Sequence, residues 1–351
     1  MKDKIKAILD TVSYPGFKRS IVSFGVVKEI EHQDDTITVH LHYTTSNNEV
    51  KKQIKQAVAE KLGSELSEYK IYIKETSAEI TAKPQAKSAP QDPWADRAPI
   101  PGIKNIIAVA SGKGGVGKST VSTNLALALQ KKGLQVGLMD ADIYGPSVHI
   151  MMGARSKPYV NDQERIIPLV KHGIKLITMG TLLEESTPVI WRGPMVMKAI
   201  EQFLNDVEWG ELDVLVIDLP PGTGDAQLTL VQKVPVNGAI IVTTPQEVSL
   251  VDARRGLKMF ERVDTPVWGI IENMSYFICN HCNEKTFIFG EDGGKKAAEE
   301  MGTGLLGQIP IETSVREAGD KGVPVVEFAA DSVSAKTFLA IAEKIKDNLV
   351  R

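Results

Sequence analysis

Cysteine is nearly missing from this sequence: two thiols, Cys279 and Cys282, occur in 351 residues. Two such close neighbours give no disulfide framework, so a disulfide-stapled secreted domain is excluded and a reducing, cytoplasmic compartment is expected. Also missing is any run of the roughly 18 apolar residues that a bilayer-spanning helix needs, so no membrane partner is expected. The opening MKDKIKAILDTV is charged and amphipathic, unlike the basic start and apolar stretch of a secretory signal. Charge of one sign is scarce too. Lys and Arg number 41 against 44 Asp and Glu, a net charge of −3, which is not the footprint of a dedicated nucleic-acid binder. What is present is ordinary: 42% hydrophobic and 24% charged residues, enough to bury a core. The length suits about two domains of roughly 100–200 residues each.

Three pieces separate by composition. Residues 1–75 are predicted to be a small α+β domain. Lys2 to Val12 has helical apolar spacing, and Pro15-Gly16 ends it. Ile21 to Glu31 and Thr36 to Tyr43 are β-rich, the second alternating Ile37, Val39, Leu41 and Tyr43 on one face. Asn48 opens a helix expected to stop at Gly63, and Tyr69 to Lys74 supplies a last strand. Residues 76–102 hold five prolines among Ala, Lys, Gln and Ser, the composition of a semi-extended linker. Residues 103–351 alternate short apolar strands with helical segments, with strands expected at 105–110, 135–140, 174–178, 214–218, 239–243, 267–271 and 305–308. That alternation predicts an α/β fold, a mostly parallel sheet flanked by helices on both faces.

The sharpest signal follows the first of these strands. Gly112-Lys113-Gly114-Gly115-Val116-Gly117-Lys118-Ser119-Thr120 satisfies the phosphate-loop pattern between an apolar strand and a helix. Glycines let successive backbone N–H groups turn toward phosphate oxygens, and the helix N-terminus adds partial positive charge. Lys118 is expected to reach the β- and γ-phosphates of ATP, and Ser119 to ligate Mg²⁺. A glycine-rich turn without a ligand is the plainer alternative, and the strand–loop–helix context disfavours it. Val214-Leu215-Val216-Ile217-Asp218 is four apolar residues and an acid, which assigns Asp218 to Mg²⁺. Asp218 to Asp225, DLPPGTGD, has the character of a switch loop in which side-chain-free Gly222 can approach a γ-phosphate. Asp140 and Asp142 end another strand, where a carboxylate can orient water or join the metal shell. Cys279-Asn280-His281-Cys282 leaves four readings open: half an iron–sulfur site, half a zinc site, a redox dithiol, or inert cysteines. A four-thiolate site needs two chains, because one chain holds only two thiols.

The loop GKGGVGKST, with its second lysine at Lys113, resembles the deviant Walker A motif of the MinD/ParA/Mrp class of dimeric ATPases. That resemblance implies a homodimer in which Lys113 reaches the partner's nucleotide. It also implies that Asp142 orients the attacking water, that Asp140 partners the metal shell, and that Asn273 sits where related ATPases read adenine. VIWRGPM (189–195), DLPPGTGD, TTPQEVSLVDARRG (243–256), IIENMSYFICNHC (270–282) and IPIETSVREAGDKGVPVV (309–326) together resemble the Mrp/ApbC family of iron–sulfur cluster carriers. The implied cargo is one [4Fe–4S] cluster bridging two subunits through Cys279 and Cys282. The implied partners are apo iron–sulfur proteins and a cluster-assembly scaffold. Arg192 matches the family motif without a physical role. The N-terminal piece resembles the small iron–sulfur-assembly domain of bacterial Mrp proteins, although the usual acidic Asp-Pro start is Ser13-Tyr14-Pro15-Gly16 here. The alternative is a MinD- or ParA-like spatial organiser or regulatory DNA-binding ATPase whose Cys pair binds zinc. A membrane-seeking organiser needs a basic amphipathic C-terminal helix. Residues 334–351 instead offset their few basic groups with Glu343 and Asp347, which predicts a packed core helix.

Overall fold

The computed structural model describes residues 1–15, 19–33, 35–43, 48–77, 97–182, 193–222, 224–279, 281–282 and 284–349. Most of the proline-rich stretch, and Trp191 and Arg192, lie outside these residues. The chain forms two compact units, 1–90 and 91–351.

In the first unit α1 (Lys2–Asp10) and α2 (Asn48–Glu65) accompany a sheet of β1 (Val27–Gln33), β2 (Thr36–Tyr43) and β3 (Lys70–Ser77), in that order. β1 and β2 are antiparallel, whereas β2 and β3 are parallel and joined through α2. Alternation places Ile37, Val39, Leu41 and Tyr43 in the core with Ile5, Leu9, Val58 and Leu62. Two boundaries depart from the sequence reading. Ile21 to Gly25 form a turn, with the Ile21 N–H donating to Val12, so β1 starts only at Val27. α2 runs through Gly63, because Leu62 and Leu66 are both buried and carry its apolar stripe past the glycine. A mid-helix glycine costs about 1 kcal/mol, less than burial of either leucine contributes.

The second unit is built on an eight-stranded sheet. Its strands are β4 (Ile106–Ser111), β5 (Val136–Asp140), β6 (Leu169–Lys171), β7 (Ile174–Thr178), β8 (Val214–Asp218), β9 (Gly238–Thr243), β10 (Val267–Glu272) and β13 (Leu305–Gln308). Spatial order is β13-β10-β9-β4-β8-β5-β7-β6, and every pairing is parallel except that of β6 with β7. β4, β5, β8 and β9 are buried at every residue, which is why they read as unbroken apolar runs. On one face α3 (Lys118–Lys131) packs Val121, Leu125 and Leu129 against Phe338, Ile341 and Ile345 of the C-terminal helix 333–349. That helix is therefore a core element, as its charge pattern suggested. The opposite face is closed by the helices 193–205 and 247–262, through Ile200, Phe203 and Phe260. Among the described residues no helix is long and apolar enough to cross a membrane. A small antiparallel hairpin, β11 (Phe277–Ile278) with β12 (Lys285–Thr286), projects beyond β10.

Candidate functional site: a phosphate loop and a cysteine hairpin

β4 lies mid-sheet, and α3 starts where it ends, so the loop 112–117 sits at the carboxyl ends of the parallel strands, the usual ligand crevice of such sheets. Gly117 opens α3 with φ 82°, and a Cβ there would strike the Asn273 side chain. At Gly112 a Cβ would strike the backbone of Asp252 on the helix behind the loop. These glycines therefore allow close approach as well as the turn itself.

The carboxylates converge from two strands. Asp140 and Asp218 are register partners at the ends of β5 and β8, and both are fully buried. Lys118, only 5% exposed, lies with Nζ 2.8 Å from Asp218 Oδ2 and 3.8 Å from Asp142 Oδ2. The Ser119 hydroxyl donates to Asp218 Oδ2 at 2.6 Å, and Ser122, one turn along α3, donates to Oδ1 at 2.6 Å. Thr178 Oγ1 and the Asp142 N–H donate to the two oxygens of Asp140, at 2.9 and 3.0 Å. Burial pushes the pKa of Asp140 up to about 7, with Asp218 adding to the rise and Lys118 opposing it. Burial also raises Asp142, again against Lys118. Three acids thus face one ammonium group, and the imbalance suits an added cation. Ser119 and Asp218 supply the hard oxygen donors that Mg²⁺ takes, so the residues fit that ion.

Gly222 (φ 97°) lies within the switch stretch, and its N–H donates to the Ser111 carbonyl at 2.9 Å. Lys113 is half-buried and makes no ion pair with another described residue. A basin of about 230 Å³ holds Lys113, Gly115, Lys118, Ser119 and Asp142. It adjoins a more apolar cleft of about 520 Å³ lined by Asn273, Met274, Pro310, Ile311 and Val315. The Asn273 amide nitrogen donates to the Val116 carbonyl at 2.8 Å, so this side chain buttresses the loop at the edge of the cleft.

The cysteines lie elsewhere, at the tip of the β11–β12 hairpin. The Cys279 N–H donates to Glu284 at 3.0 Å, and the hairpin is tied to the segment after β13 by Ile311 N–H to Tyr276 at 2.7 Å. Cys279 is half-buried and Cys282 exposed. Backbone N–H groups of Cys282 and His281 turn toward the Cys279 sulfur and lower its pKa, with the Cys282 thiol adding to the effect. This is how a backbone prepares a thiolate for a metal. Ser122 and Thr178, which fix the two buried acids, were not singled out by sequence. Ser122 had a usable signal, lying four residues after Lys118 on the same helix face, whereas Thr178 had none.

Comparison with known proteins agrees with this architecture. The NUBPL iron-transfer P-loop NTPase family matches residues 102–346, and the iron–sulfur cluster assembly protein family matches residues 2–70. An iron–sulfur cluster carrier protein of Synechocystis is 45% identical over 349 residues, covering 98% of this chain and 96% of the relative. The iron–sulfur cluster carrier protein of Escherichia coli K12 is 39% identical, covering 99% and 92%. Among solved structures, an Archaeoglobus fulgidus nucleotide-binding protein in complex with ADP superposes with a TM-score of 0.59 at 39% identity, over 67% of this chain and 92% of that one. The cell-division ATPase MinD of Pyrococcus furiosus shares the fold, with a TM-score of 0.53 at 23% identity, over 70% and 99%. The chain therefore belongs to the Mrp/ApbC family of iron–sulfur cluster carriers, ParA/MinD-like P-loop NTPases with an N-terminal iron–sulfur-assembly domain.

Proposed function

We propose that this chain is an ATP-hydrolysing carrier that holds one [4Fe–4S] cluster between two copies of itself and passes it to apoproteins in the cytoplasm. The observation that carries this reading is the hairpin tip, where backbone amides prepare Cys279 beside Cys282 on an exposed projection. Two thiols per chain and four thiolates per cuboidal cluster make the dimer the loading unit. Anaerobic reconstitution with iron and sulfide tests it. The expected product is a coloured dimer with about four irons and four sulfides that activates an apo-protein acceptor. A colourless dimer holding about one zinc and activating nothing would remove the carrier reading.

In the nucleotide site the loop N–H groups and Lys118 hold the phosphates, while Ser119 and Asp218 hold Mg²⁺. Lys118 exchanges Asp218 for a phosphate oxygen when ATP enters. Lys113 serves the partner's nucleotide, and Gly222 brings the switch loop to the γ-phosphate. The base and ribose take the adjoining cleft, with Asn273 at its edge. Asp142 orients the attacking water. Its Oδ1 already accepts from the Gly145 N–H, at 3.4 Å, and its other oxygen faces Lys118 across 3.8 Å. Asp142→Asn should slow hydrolysis on the order of 100-fold or more, with ATP affinity nearly unchanged. Loss of Mg²⁺-ATP binding in an equilibrium titration would instead move Asp142 into the metal shell.

A further inference from the structure

The N-terminal unit carries a second cluster of metal-ligating side chains, far along the sequence from both sites above. On the outer face of its sheet, Glu29 of β1 stands directly opposite His40 of β2 in the antiparallel register, and Glu31 is two residues further on the same face. One ligand atom from each of the three residues lies within 4.8 Å of the others. Around a tetrahedral ion with bonds of about 2.1 Å, ligand atoms stand about 3.4 Å apart. Small rotations of the two exposed glutamates close that difference at little cost, because among the described residues neither carboxylate forms an ion pair outside the cluster. Lys74, the register partner of His40 on β3, makes no ion pair with either glutamate.

The imidazole adds a second sign. His40 Nε2 is shielded from solvent and has no hydrogen-bond partner, although Glu31 Oε1 is only 3.3 Å away. Leaving a shielded ring nitrogen without a bond is unfavourable, and a half-exposed ion pair offsets little of that. Ligation by a cation would satisfy the nitrogen and both carboxylates together. A polar hollow of about 360 Å³, lined by Glu31, Gln33, Asp35, Thr36, Thr38 and Lys70, opens at the Glu31 end of the cluster.

We propose that Glu29, Glu31 and His40 form a binding site for one divalent first-row metal ion of the zinc or ferrous class. Two carboxylates and an imidazole are a borderline-hard donor set suited to such ions, and water would fill the remaining positions. The site is separate in chemistry from the cysteine hairpin, because it contains no sulfur.

The test uses the full chain with Cys279→Ser and Cys282→Ser, so that thiolates cannot bind the probe. Equilibrium dialysis against Zn²⁺ should find about one ion per chain. Co²⁺ in its place should give visible d–d absorption without sulfur-to-metal charge transfer. In the same background His40→Ala should weaken Zn²⁺ binding by more than the roughly 10–100-fold that losing an outer-shell partner costs. Glu29→Gln, which leaves the Glu31–His40 pair intact, should also weaken it. Far-UV circular dichroism reports folding, and if His40→Ala unfolds, His40→Gln and Glu29→Gln decide. Absence of Zn²⁺ uptake by the cysteine-free chain would reduce the cluster to an ion pair. Uptake indifferent to both substitutions would make the metal adventitious, and either result overturns the proposal.

Discussion

Cys279→Ser or Cys282→Ser is expected to take cluster loading from about four irons per dimer toward zero. Either substitution leaves two thiolates across the dimer where a cuboidal cluster takes four. Serine hydroxyls are poor replacements, being protonated at neutral pH where the Cys279 thiol is already biased toward thiolate by the N–H groups of Cys282 and His281. Folding should survive, since the hairpin is held by backbone pairing of Phe277 with Thr286 and Ile278 with Lys285, which neither substitution touches. ATP turnover, assigned to other residues, is the control. His281→Ala should keep its cluster, because the histidine contributes its backbone N–H and the substitution retains that group. Iron and sulfide analysis after anaerobic reconstitution reads all three variants. Wild-type loading in either serine variant would remove the cysteines from the site.

The second large effect is expected at the phosphate loop. Lys118→Ala should abolish measurable hydrolysis and weaken nucleotide binding, because it removes the ammonium group from the β- and γ-phosphates. It also leaves Asp218, fully buried and 2.8 Å from that group, without its counter-charge. Lys113→Ala should spare most binding and lower turnover on the order of 10³-fold, as loss of a trans arginine finger does. Steady-state ATPase rates and nucleotide affinities separate the two. Unchanged rates in both variants would sink the site assignment, whereas unchanged turnover in Lys113→Ala alone would sink only the trans contribution.

Much of this architecture was legible because the parallel strands are buried on both faces and so read as apolar runs. The edges Ile174–Thr178, Val214–Asp218 and Leu305–Gln308 fall where the sequence placed them. β6 carries no sequence signal, because three residues show no period and only the pairing with β7 makes them a strand. The stop that local propensity predicts for α2 at Gly63 is overridden by the burial of Leu62 and Leu66, which no local propensity contains. At the site, the loop and the strand-end acids announced themselves through spacing. The bond from Asn273 to Val116 joins positions 157 residues apart, and no pattern in the sequence encodes it. The prepared state of the Cys279 sulfur depends on backbone direction at a hairpin tip, which residue type alone does not fix.

The stretch from Asn273 to Cys279 is pinned at almost every step. Asn273 donates its amide to the loop and its N–H to Thr243, Ser275 donates to Ile309, Tyr276 accepts from Ile311, and Cys279 donates to Glu284. Such a stretch works as a ruler. Strand side chains alternate faces, so one inserted residue would turn Cys279 to the opposite side of the hairpin, while a second would restore its face at the wrong height. The Cys279 thiol is thereby keyed to the phosphate loop with single-residue accuracy. In this segment length is a constrained quantity in its own right, beyond the contacts its side chains make.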